Sequence, residues 1–168
     1  FLFHSENRDR DTGLPNNVKY IWIGYEDHPS GEILNIVGLK IYENGNNNPL
    51  SYESDESGEI VSFIQSSKDT RTAATRSRTP ALLFNGDYNR NSNSFHTENR
   101  RSKNEYALIK LKELKTISKV ELFKRKNDTK RVKHVFVKLL DENENEIMRS
   151  GQIPKDNDRI NINDTSGN

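Results

Sequence analysis

Between Lys124 and Arg131 the chain reads KRKNDTKR, five basic side chains set around Asn127 and Asp128. The stretch is too polar to bury and suits a solvent-facing loop. Held on two strands, such a loop serves as a binding edge or as a solvated hairpin connection. Either way its chemistry is contact, not bond breaking. Other constellations point the same way. The carboxylates are plentiful, yet they fall in loops with no sequence reason to face one another at glycosidase separation. The chain has no Gly-rich phosphate loop, nucleophile elbow or metalloprotease His pair, and it has no Cys. Its four histidines, His4, His28, His96 and His134, show no metal-ligand spacing. No enzyme activity is therefore expected. Basic clusters at Arg71 to Arg78 and Arg100 to Lys103 have few interleaved aromatics, and the net charge is only +1, so nucleic acid is not an expected partner.

The elements that must carry these residues read as strands. Val120 and Leu122 stand at period-two spacing, and Val135, Val137 and Leu139 repeat it after the basic interruption. A tight turn is expected over Asp141 to Glu146, after which Ile147 resumes the apolar pattern. Upstream, Val18 to Tyr25 (VKYIWIGY) is β-branched and aromatic almost throughout, with Trp22 expected in the core. Leu34 to Tyr42 alternates through Val37, Leu39 and Ile41, and the two segments read as an antiparallel pair. Further strands are expected at Ile60 to Gln65, Tyr106 to Leu111 and Arg159 to Ile162, with a turn at Lys112 to Thr116 and another at the NGNNN run from Asn44. Ala81 to Phe84 is a brief apolar anchor between polar loops, and no helix is predicted. Seven or eight short strands parted by turn signals predict an all-β fold, an antiparallel β-sandwich.

Leu, Ile, Val and Phe make up 40 of the 168 residues, enough for one lean core but not for two. The expected organisation is a flexible lead-in over 1–17, one sandwich domain over 18–162 with long polar loops, and a tail over 163–168. Without Cys there is no disulfide scaffold. No apolar run reaches the roughly 18 residues of a spanning helix, and the opening FLFHSENRDR lacks the flank and apolar stretch of a signal peptide.

Several segments, in order, resemble the galactose-binding-like (discoidin) superfamily. Tyr20 to Ile23 with Leu34 to Tyr42 resembles its paired strands, Phe63 to Ser67 (FIQSS) its "VTQSS", and Ala81 to Asp87 its "AVDGN". Phe95-His96-Thr97 stands at its "HT", and Tyr106 to Leu111 with Thr116 to Val120 resembles "WWEVDLG … ISKI". Lys124-Arg125, Arg131-Val132 and Val135 to Asn145 are similar to "NR … RL" and "LLDENGN". The likeness spans Val18 to Ile162 and is greatest to the fucolectin branch and to related domains of large DNA viruses. It implies a jelly-roll sandwich and a non-catalytic module that recognises a glycan, or another surface partner, through loops at one end. The alternative it implies is a structural, minor capsid or surface-decoration component of a virus particle binding other proteins. Both place the chain outside the cell or on a virion.

In the fucolectin branch one His and two Arg grip sugar hydroxyls, and the matching positions are His96, Arg125 and Arg131, with an aromatic such as Tyr88 or Phe95 expected to complete a shallow site. The family's paired Cys are missing here, and its paired Trp is replaced by Glu105-Tyr106. The calcium site of the family is also altered. Asn85 stands at its Asp and Gly38 at its Glu, although Asp87, Asn89 and Ser92 still offer oxygens. No cofactor is expected, with structural calcium at those three residues the one alternative.

Overall fold

The structure, a computed structural model, describes residues 13–28, 34–66, 80–85, 95–97, 103–124, 134–151 and 159–160. Among them are strands β1 (Val18–Tyr25), β2 (Asn35–Glu43), β3 (Ile60–Gln65), β4 (Phe95–His96), β5 (Glu105–Lys115), β6 (Ile117–Lys124), β7 (Phe136–Leu140), β8 (Glu146–Arg149) and β9 (Arg159–Ile160). One short helix, α1 (Pro80–Asn85), interrupts them. Every pairing between these strands is antiparallel, so the expected all-β class holds. They form a five-stranded sheet in the order β3-β5-β1-β7-β8 and a four-stranded sheet in the order β4-β2-β6-β9.

Apolar alternation explains the register of the larger sheet. Ile21 of β1 faces Ile109 of β5 and Leu139 of β7, and Ile23 faces Ala107 and Val137. All six are almost fully buried, because the pleat sends residues two apart to the same side. In the smaller sheet Leu39 and Ile41 of β2 lie opposite Leu122 and Val120 of β6. These residues from both sheets belong to one cluster of buried side chains.

Two sequence expectations need correction. Segments Val18 to Tyr25 and Leu34 to Tyr42 do not pair, because β1 lies between β5 and β7 while β2 lies between β4 and β6. Each is buried along most of its length and therefore takes a neighbour on both edges. Sequence adjacency cannot decide that. Likewise β6 and β7 belong to different sheets, so the basic segment between them is a crossing, not a hairpin.

Smaller differences have local causes. Instead of turning at Lys112, β5 continues to Lys115, and Thr116 alone joins it to β6. Thr116 O accepts from Asn44 N at 2.8 Å, and Pro15 O accepts from Ile117 N at 3.2 Å, so the two sheets share this lower end. The apolar anchor at Ala81 to Phe84 is helical. Pro80 suits a first helical position, and the turn lays Leu83 and Phe84 into the core, with Phe84 5.5 Å from Tyr52 between ring centres. The expected turn after β7 is present, with Asp141 Oδ1 accepting from the amides of Asn143 at 2.8 Å and Asn145 at 2.9 Å.

Trp22 is buried, but not in the central cluster. It lies on the other side of β1, stacked on Tyr106 at 5.9 Å and tilted against Phe136 at 5.1 Å. Lys138 Nζ stands 4.4 Å from its ring centre and pairs with Glu26. Aromatic faces attract such cations, so the outer surface of the larger sheet carries a small packed cluster of its own.

Candidate functional site

Register and connectivity define one irregular end. The larger sheet contributes Tyr25, Gln65, Glu105, Phe136 and Arg149 to it, and the smaller sheet Asn35, His96 and Lys124. The connections β1 to β2, β4 to β5 and β6 to β7 begin and end at this rim, and β3 and β8 leave from it. Short links, such as Thr116, lie at the opposite end.

The rim also collects buried polar groups. Among the described residues the buried polar or charged side chains are Asn35, His96, Thr97, Glu105 and Glu121. All but Glu121 sit at strand ends of the rim. Burying polar groups costs free energy unless they are hydrogen-bonded, so their gathering at one end marks a specified arrangement. Thr97 fastens β4 to the entry of β2. Its amide donates to Leu34 O at 3.0 Å, and its Oγ1 accepts from Leu34 N at 2.9 Å. Next to it, His96 Nδ1 stands 2.6 Å from Thr97 O. A carbonyl oxygen only accepts, so Nδ1 carries the proton and Nε2 of the neutral ring is the acceptor.

Replacing Thr97 by valine keeps the shape but removes the acceptor of the fully buried Leu34 amide. The expected loss is about 1–3 kcal/mol, read as a lower denaturant midpoint with the far-UV spectrum unchanged.

On the larger sheet, Glu105 opens β5 and is buried, accepting from Ser66 Oγ, which in turn accepts from Tyr106 N at 2.8 Å. The chain leaving β1 is pinned beside it. Asp27 adopts a left-handed φ of 50° and donates its amide to Asn104 Oδ1 at 2.9 Å, and His28 N donates to Lys103 O at 3.0 Å. These bonds bring the His28 ring to 4.0 Å from that of His134, centre to centre. Asp55, at the lower end, has its carboxyl held below the ordinary range by hydrogen bonds from the side chain and backbone of Ser57.

Of the residues singled out from sequence, the structure locates His96. Arg125, Arg131, Tyr88, Asp87, Asn89 and Ser92 lie outside the described residues. The last described residue before Arg125 is Lys124, opposite Ile36 of β2, and His96 is opposite the adjoining Asn35. Thus His96 and the root of the basic segment flank the same end of β2. Asn85, expected from the resemblance to stand in place of a calcium-binding Asp, donates Nδ2 to Tyr52 O at 3.1 Å, which a carboxylate could not do.

Sequence reasoning missed Asn35, Glu105 and the His28–His134 contact as rim features. Glu105 carried one signal, a charge at the mouth of an apolar strand. Nothing local links His28 to His134. No family model matches the chain, and comparison with curated proteins and with solved structures finds no match. Among the described residues no helix is long and apolar enough to cross a membrane.

Proposed function

We propose that the two sheets form a jelly-roll sandwich of the galactose-binding-like type, spanning 18–162, and that the chain is a non-catalytic module binding glycan through the rim. The carrying observation is the meeting, at one end, of the buried polar residues Asn35, His96, Thr97 and Glu105 with the ends of the connections between strands. A polyol offers alternating donors and acceptors, and buried, hydrogen-bonded groups on strand ends discriminate it better than mobile surface side chains do. In this reading His96 Nε2 accepts from a sugar hydroxyl, and Arg125 and Arg131 donate paired hydrogen bonds to neighbouring oxygens. No cofactor takes part. The site faces the outside of a cell or virion, where glycans are met.

A glycan array probed with wild type, Arg125→Ala and Arg131→Ala tests the reading. Wild type is expected to retain a restricted set of glycans, and each variant to lose at least about tenfold in affinity, the scale of one charge-assisted bidentate contact. Absence of binding by wild type would sink the glycan reading and move the rim to contact with other proteins, as in a particle component.

A further inference from the structure

We infer that His28 and His134 form a two-imidazole site for a borderline divalent cation of the zinc or nickel type. The proposal is independent of the glycan reading. The two histidines are separated by more than a hundred residues, yet their rings lie 4.0 Å apart between centres with 47° between planes. Neutral imidazole is the common nitrogen ligand for such ions.

Both rings sit next to strand ends. His28 follows β1 through the left-handed Asp27, held by Asn104, and its own amide is bonded to Lys103 O. His134 immediately precedes the fully buried Val135 and β7. Strands β1 and β7 are direct neighbours, with Gly24 opposite Phe136. The pair is therefore assembled by the fold itself, and an ion has no long loop to close.

The Tyr25 ring lies 5.9 Å from the His28 ring between centres, at 69° between planes, and supports it from the strand side. Zinc–nitrogen bonds of about 2.0–2.1 Å at a tetrahedral angle set two ligating rings about 5 Å apart between centres. The observed separation is about 1 Å shorter, so an ion must spread the two rings by that amount on binding. One nitrogen per ring suffices, and a hydrogen bond at the other nitrogen orients a ligating imidazole. Among the described residues no group of three or more His, Cys, Asp or Glu could hold an ion, so the proposed site rests on these two imidazoles.

Calorimetric titration of the full chain with zinc chloride at pH 7.5 is expected to give one ion per chain, with His28→Gln and His134→Gln each at least about tenfold weaker. A second readout uses wild type alone. Substoichiometric nickel chloride should broaden the imidazole proton resonances of His28 and His134 while leaving those of His4 and His96 sharp. The proposal is overturned if the variants bind zinc as wild type does, if wild type binds none, or if nickel broadens all four histidines alike. Should a variant fail to fold, the nickel experiment decides.

Discussion

Ile109→Ala is expected to destabilise the protein by about 4 kcal/mol, within the 2–5 kcal/mol found for buried Ile to Ala changes. Ile109 is fully buried in β5, the second strand of the larger sheet, and lies opposite both Ile21 of β1 and Phe63 of β3. Three strands therefore lose a shared contact when its branched side chain is removed. None of them can close the gap without shifting a register fixed by its other pairings, so the cavity term stays largely unrelaxed. For a chain of this size the loss corresponds to roughly 8–16 °C in Tm. It would consume much of the net stability of a typical domain, about 5–15 kcal/mol. A thermal melt that moves by less than about 3 °C, the scale of a surface change, would contradict the placement of Ile109 at the centre of the core.

Gly24→Ala is expected to cost about 3 kcal/mol or more, although it adds a single methyl group. A Cβ at Gly24 would run into the backbone carbonyl oxygen of Glu105 and would stand 2.8 Å from both Cα and Cβ of Tyr106. The first obstacle is main chain, which cannot rotate away as a flexible side-chain tip can. Relief requires β5 to move away from β1 just where Trp22 packs on Tyr106 and where Glu105 is buried. The change should thus lower the denaturant midpoint and also reduce the near-UV signal of Trp22, the only tryptophan. Wild-type values for both would show that the two strands are less tightly apposed than described.

These two positions differ in how far their importance could be read in advance. Ile109 belongs to an alternating apolar run, and its burial follows from period-two spacing. Gly24 looks like a weak point in an otherwise β-forming segment. Only the approach of β5 explains why a side chain is excluded there. The same division runs through the rim. His96 was singled out through the resemblance at Phe95-His96-Thr97, and the basic run after Lys124 lies outside the described residues. The hydrogen bonds that tie Thr97 to Leu34, 63 residues earlier, had no local signal.

From its order of residues alone this chain is all-β: the β-branched and aromatic run of β1, the alternation in β2, β5, β6 and β7 and the turn chemistry at Asn44 and Asp141 are local properties, decided within a few residues of one another. Partner choice was settled by the tertiary structure. Whether β1 joins β2 or slots between β5 and β7 depends on which arrangement covers both edges of a strand that is apolar along most of its length. That is a competition among distant segments for the same buried surface. The meeting of His28 with His134, and of Asn35 with His96, follows from that competition and from nothing in the neighbourhood of any of the four.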